Sequence, residues 1–246
     1  MSAFDVRIIG AGRAGSALAA ALRASGWRVD GPLGRDHDPS LATTGARAVL
    51  LAVPDRDVPA VASALAPGEA VVVHVAGSLG LEVLAPHDRV ASVHPLVSLP
   101  DADLGARRLA GAWFAVAGDP LASEIVAALG GRAVEVPDEG RTTYHAAAVV
   151  AANHVVALLG QVERLAAAVG VPLEAYLDLA RGALDNVSEI GPAAALTGPV
   201  ARGDRQTVAR HLAVIPESER PAYALVADLA HRLVDERDAL GPGVPA

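Results

Sequence analysis

The chain has 246 residues, of which 52% are hydrophobic and 20% charged, and carries a net charge of −8; this excludes a disordered chain and allows one large or two modest domains. No cluster of basic residues offers a nucleic-acid surface. The chain contains neither Cys nor Lys, so all 20 basic residues are Arg; disulfides, thiolate catalysis, Cys-ligated zinc and any Lys Schiff base or Lys general acid are excluded.

In chain order, Val6–Ile9 is a short β-rich run, and a helical pattern follows from Arg13 to Ser25, stopped by Gly26. Arg28–Leu33 is a weaker strand, Ala48–Val53 a buried one, and Asp57–Leu65 a helix ended by Pro67-Gly68. Ala70–Val75, Val90–His94, Trp113–Ala117 and Arg132–Val136 read as further strands, with a helix over Pro120–Leu129. Such alternation predicts an α/β fold with a doubly wound, mainly parallel sheet. After Pro137 the strand signals stop. Helical patterns cover Arg141–Val169, Leu173–Ser188, Arg205–Ala213 and Pro216–Ala239, so the expected domains are 1–137 and an all-α 138–246. The tail from Gly241 is expected to fray. The N-terminus has no basic segment followed by an apolar stretch, so no signal peptide is expected. The longest apolar region, Ala146–Gly160, contains Asn153 and His154 and reads as too short and polar for a membrane span. A cytoplasmic protein is expected.

Gly10-Ala11-Gly12-Arg13-Ala14-Gly15 matches G-x-G-x-x-G where the first strand passes into the first helix. Gly10 would allow the tight turn, Gly12 the approach of a pyrophosphate, and Gly15 the packing of helix on strand. The helix N-terminus adds free N–H groups and the positive dipole end. Gly10, Gly12, Arg13, Ala14 and Gly15 are therefore the expected pyrophosphate contacts. Asp30 has the spacing of a ribose-binding acid, which would favour NAD. The strand pattern, however, continues past it to Leu33 and ends at Gly34-Arg35. A small residue followed by Arg suits a 2′-phosphate, so NADP is expected rather than NAD.

Here the chain resembles a bacterial family that pairs a Rossmann-like NADP-binding domain with a helical C-terminal domain of formerly unknown function. That family is related to pyrroline-5-carboxylate reductases and to the 6-phosphogluconate dehydrogenase-like superfamily. Some members are similar to an alternative ketopantoate reductase of pantothenate synthesis. The resemblance covers nearly the whole chain. It rests on the glycine turn, Gly34-Arg35, Leu51-Ala52-Val53-Pro54-Asp55, His74-Val75-Ala76-Gly77-Ser78 and Val93-His94-Pro95-Leu96. In the helical half its carriers are Tyr144-His145-Ala146 with Asn153, and Leu196-Thr197-Gly198-Pro199 followed by Arg202-Gly203-Asp204. It implies hydride transfer from NADPH to a C=O or C=N of a small anionic substrate. 2-Dehydropantoate is the leading candidate and a cyclic imine of the pyrroline-5-carboxylate type the alternative. It also implies a homodimer joined through the helical domain. A non-catalytic dinucleotide sensor or scaffold is the reading of another class.

Ligands of doubly wound sheets bind at the carboxyl ends of the strands. Val53, Pro54 and Asp55 would edge the ribose and nicotinamide, although Asp55 could equally cap the next helix. Ala76 and Ser78 are assigned to the cofactor side, and Ser78 too could be a cap. A carbonyl reductase needs a proton source, and with no Lys, His94 and His145 are the best replacements. On a straight helix His145 and Asn153 lie roughly 80° apart and about 12 Å along the axis, so they can line one cleft; Tyr144 and Asn153 would point apart. His94, His145 and Asn153 are the expected catalytic set. Arg202 either binds a substrate carboxylate or pairs with Asp204 to fix a turn, the second being preferred. His37, His87, His211 and His231 lack motif context and read as surface or structural. No metal-ligand spacing is present.

Overall fold

A computed structural model describes residues 4–240; the tail from Gly241 lies outside them. Contacts divide the chain into two compact units, 1–153 and 154–246. Each is described by itself.

The first unit is built from β1 (Phe4–Ile9), α1 (Arg13–Ala24), β2 (Val29–Leu33), β3 (Ala46–Leu51), α2 (Val58–Ala64), β4 (Val71–His74), β5 (Val90–Pro95), α3 (Ala102–Leu109), β6 (Trp113–Gly118), α4 (Leu121–Ala128) and β7 (Arg132–Glu135). The strands form one seven-stranded sheet in the order β2-β1-β3-β4-β5-β6-β7. Period-2 alternation sends Val6, Ile8, Leu50, Val71, Val73 and Val93 into a core with Leu18 and Leu22 of α1 and Ile125 of α4. The opposite face buries Val49, Leu51 and Val72 against Val58 and Ala62 of α2. Apolar cover on both faces is what a parallel sheet requires. The register places Ile9 beside Leu51, Leu51 beside His74 and His74 beside Ser92. The carboxyl ends of β1, β3, β4 and β5 therefore open onto one edge, where the segments after Ile9, Leu51 and His74 emerge together.

Two features differ from the sequence reading. β6 runs antiparallel to β5, and β7 follows β6. The intervening α3 has eight residues, the same length as α4, which joins the parallel pair β6 and β7, so helix length does not set the direction. The helix α3 itself was not expected, although its Ala-Asp-Leu-Gly-Ala-Arg-Arg-Leu sequence is amphipathic, burying Gly105 and Leu109 and exposing Asp103, Arg107 and Arg108. Its N-cap is visible in hindsight, because Asp101 accepts from the Leu104 N–H at 2.8 Å.

The sheet ends at Glu135, two residues before the expected boundary at 137. The first unit nevertheless extends to Asn153, through α5 (Arg141–Val149) and most of a π-helical turn, Val150–His154. The physical tie is Arg141, only 1% exposed, whose guanidinium bonds to the chain after β4. The apolar stretch Ala146–Gly160 is part of a longer helical run, 138–167, that could cross a membrane by length and composition alone; Asn153 and His154 stand at its middle.

The second unit holds α6 (Val155–Ala167), α7 (Leu173–Ala195), α8 (Gly198–Ala201), α9 (Arg205–Val214) and α10 (Arg220–Leu240). α7 is broken at Gly191 (φ 76°) ahead of Pro192, a residue that cannot continue the preceding hydrogen bonds. Asp204 caps α9, accepting from the Thr207 N–H at 3.0 Å and hydroxyl at 2.7 Å. The expected Arg202–Asp204 pair is therefore corrected: among the described residues no ion pair joins them, and the carboxylate is committed to the cap. Neither α7 nor α9 has a buried residue, and Leu179, Leu184 and Leu225 are exposed.

Candidate active site

The three glycines of the turn have different constraints. Gly10 has φ +112°, and a Cβ there would overlap the Ala52 carbonyl; at Gly15 a Cβ would overlap the Gly10 carbonyl. Both are required by the protein's own packing. Gly12 is extended (φ −79°, ψ −175°), and a Cβ there meets nothing within 4 Å. Gly12 is also the N-cap of α1, with no side-chain cap bond, so the amides opening the helix are left for another acceptor. A pyrophosphate fits this cradle.

A cavity of about 690 Å³ follows the strand ends, lined by Gly10, Gly12, Gly34, Arg35, Val53 and Pro54 among others. Arg13 and Ala14 open α1 and line an adjoining cleft of about 380 Å³ that reaches His94. β2 does continue through Asp30 to Leu33, and the Asp30 carboxylate is engaged by Arg7 Nε at 2.6 Å. Gly34, open around its Cβ position, and Arg35, with no ion pair among the described residues, follow at the strand end. His37, read from sequence as a surface residue, lines the same cavity. Asp55 and Ser78 do not cap helices; the Ser78 hydroxyl donates to Asp55 Oδ2 at 3.3 Å, joining the segments after β3 and β4. Ala76 is buried behind them, its N–H donating to His74 Nδ1 at 3.2 Å.

His94 sits near the end of β5. Its Nδ1 lies 2.8 Å from the Tyr144 hydroxyl. The two rings meet edge to face at 5.6 Å, and His145 meets His94 the same way at 5.7 Å. Gly77 makes room for this cluster: a Cβ there would overlap His145 Nδ1 and stand 2.9 Å from His94 Nε2. Beside the cluster lies a second cavity, of about 490 Å³, walled by Leu96, Val97 and the alanines of α5 and the π turn. Its polar groups are His94, Ser98, Tyr144, His145 and Asn153. His94 lines both this cavity and the cleft from the glycine turn.

The structure thus gathers the three expected catalytic residues around one cavity and adds Tyr144. The straight-helix construction separated Tyr144 from Asn153. The π turn over Val150–His154 takes more residues per revolution and swings Asn153 back toward the Tyr144 side. Nothing in the residue pattern marked that turn.

Burial pushes His94 down to about 4, with His145 and Arg141 adding to the effect. Burial likewise pushes His74 down to about 4, with Arg141 next. Burial raises Tyr144, and the Arg141 charge partly offsets this. Both histidines are neutral in the folded protein at neutral pH. An unfolded histidine takes up its proton near 6.5, so between about 6.5 and 4 the unfolded chain binds more protons and stability falls with falling pH. For His74, 0% exposed, the expected loss over that window is on the order of 3 kcal/mol. Denaturant titrations at pH 7 and pH 4.5 should show it, and His74→Gln should remove the His74 share of the difference and leave that of His94; equal stability at the two pH values would contradict the assigned burial.

The comparisons with known proteins fit this architecture. Residues 114–230 match the family model of the domain of unknown function DUF2520. The matched region begins in β6 and runs into α10. Protein TM1727 from Thermotoga maritima is 25% identical over 95% of this chain and 99% of its own, with a TM-score of 0.71. BF3122 of Bacteroides fragilis, a candidate NADP oxidoreductase, is 19% identical over 93% of this chain and 98% of its own, with a TM-score of 0.75. Pyrroline carboxylate reductase of Plasmodium falciparum, solved with NADP bound, is 13% identical over 95% of this chain and 99% of its own, with a TM-score of 0.61. The chain shares their fold: a Rossmann-type sheet followed by a helical region. No curated protein matches the sequence.

Proposed function

We propose that the protein is a cytoplasmic NADP-dependent oxidoreductase that reduces the C=O or C=N group of a small substrate. The observation that carries this reading is the position of His94, with Tyr144 on its Nδ1. It stands between the cleft that starts at the glycine turn and the apolar cavity beside it.

Gly10, Gly12 and Gly15, with the first amides of α1, would hold the pyrophosphate, Gly34 and Arg35 the 2′-phosphate, and Val53–Asp55 with Ala76 and Ser78 the nicotinamide side. NADPH bound there would supply the hydride. The reduced group's oxygen or nitrogen then needs a proton. His94 is neutral at working pH, and a neutral imidazole N–H is a feeble acid. The proton therefore comes from the Tyr144 hydroxyl, while His94 Nδ1–H donates to the phenolic oxygen as negative charge builds there. His145 and Asn153 orient the polar groups of the substrate, and the alanine and valine walls exclude water.

Within this class, 2-dehydropantoate leads on the sequence resemblance. A cyclic imine is the second reading, favoured by the fold shared with the Plasmodium pyrroline carboxylate reductase, the DUF2520 match being silent on substrate. We also read the helical half as a homodimer interface, because Leu179, Leu184, Leu225 and Leu229 stand exposed there.

The test is NADPH oxidation with a panel of 2-oxo acids and cyclic imines. Turnover with at least one member is expected. In Arg35→Ala the NADPH affinity should fall about 10- to 100-fold while that for NADH stays within about two-fold, since only the 2′-phosphate loses a charge-assisted contact. Tight NADPH binding without turnover by any member would leave a dinucleotide sensor in place of an enzyme.

A further inference from the structure

The first turn of α5 carries a buried cation that the reaction scheme above does not use. Arg141 is 1% exposed. Its Nε donates to the Leu79 carbonyl at 3.0 Å and its Nη2 to the Ala76 carbonyl at 3.4 Å. Its Nη1 is buried without a partner, and among the described residues no carboxylate lies within ion-pair distance of the guanidinium. One turn earlier, Asp138 Oδ2 accepts from the Leu81 N–H at 3.0 Å. The segment 76–81, which leaves β4, is thereby tied at three points to residues 138–141.

We infer that Arg141 is a positioning residue for the reduction: its guanidinium locks the segment carrying Gly77 and Ser78 to the helix carrying Tyr144 and His145. The inference rests on the reductase reading above. Burying a guanidinium without a carboxylate is unfavourable, and an apolar side chain of similar volume would stabilise the fold better. Its retention needs a benefit that packing does not provide, and the geometry supplies two. First, Gly77 fits between His94 Nε2 and His145 Nδ1 with no space to spare, so a small shift of the 76–81 segment against α5 disturbs both imidazoles. Second, Arg141 precedes Tyr144 by three residues, on the same side of the helix. The groups facing this cation are Asp138 from the turn before α5, Tyr144 from α5 itself, His74 from the end of β4 and His94 from β5. Its charge favours the phenolate that Tyr144 becomes on giving up its proton. The same charge disfavours imidazolium at His94 and His74, so His94 remains available as a neutral hydrogen-bond partner.

The test uses the full chain with Arg141→Lys and Arg141→Met, and two readouts. The first is the imidazole NMR titration of the free protein, with the His94 signal identified by its loss in His94→Asn; it needs no turnover. The second is the split of kcat against KM for whichever substrate the panel identifies. In Arg141→Met the His94 midpoint should move upward by at least half a pH unit and kcat should fall about 10- to 100-fold. In Arg141→Lys the charge is kept and the midpoint should stay, while kcat falls because one ammonium cannot bridge two carbonyls as the guanidinium fork does. A folded Arg141→Met protein with wild-type midpoint and kcat would overturn the inference. If Arg141→Met does not fold, an Arg141→Lys protein with unchanged kcat would overturn it. A wild-type protein without turnover would remove the reductase reading and with it the positioning role in reduction, and a His94 midpoint that still shifts in Arg141→Met would then show only the coupling of the cation to the imidazole cluster.

Discussion

Gly12→Val should leave the protein folded and abolish its affinity for NADPH. The backbone at Gly12 is extended with negative φ, a conformation valine adopts readily, and its Cβ would point into space free of protein atoms to 4 Å. The folded chain therefore has little reason to resist the change. The expected stability cost is below about 1 kcal/mol, the scale of losing a favourable N-cap residue. A pyrophosphate, by contrast, would have to occupy the space the isopropyl group fills. Affinity should fall at least about 100-fold, or about 2.7 kcal/mol. The neighbouring glycines provide the contrast. Gly10→Ala and Gly15→Ala drive a methyl into the Ala52 and Gly10 carbonyls and should destabilise the fold itself. Circular dichroism melts beside calorimetric NADPH titrations separate the cases. An unchanged Kd in Gly12→Val would mean that the turn does not hold the dinucleotide.

The second large effect is expected at Tyr144. Removing its hydroxyl in Tyr144→Phe keeps the ring edge against His94 and deletes the proton source. A positioned general acid contributes about 10²- to 10⁴-fold, so kcat should fall by at least about 100-fold. NADPH affinity should stay within about two-fold, because the hydroxyl bonds to His94 and not to a residue of the glycine turn. The lost hydrogen bond costs about 1 kcal/mol of stability. Single-turnover mixing with NADPH isolates the chemical step. A Tyr144→Phe rate within two- or three-fold of wild type would reassign the proton to His94 or His145.

What was legible in the sequence is the part governed by local rules. The glycine turn could be read because a strand-turn-helix passage demands small residues: Gly15 must clear the Gly10 carbonyl five positions back, and Gly10 the Ala52 carbonyl just after β3. The disqualification of Asp30 followed from the strand pattern running on to Leu33, and the Arg7 partner now supplies a reason. The direction of β6 and β7 was not legible, since an eight-residue helix precedes each of them and yet β6 runs antiparallel to β5 while β7 runs parallel to β6. A straight helix at 100° per residue points Tyr144 away from Asn153, but over Val150–His154 the helix is wound more widely. Arg141 read only as a helix start, and its burial depends on the distant segment 76–81. Imidazole chemistry points to His94 and His145 in the sequence, whereas the room between them depends on Gly77, which is remote from both along the chain.

Calorimetric titration of the unmodified protein with NADPH tests the central claim most directly. The account predicts saturable binding at one NADPH per chain with a Kd in the micromolar range or tighter, and weaker binding of NADH. The absence of binding heat for both dinucleotides, in protein shown to be folded, would contradict it.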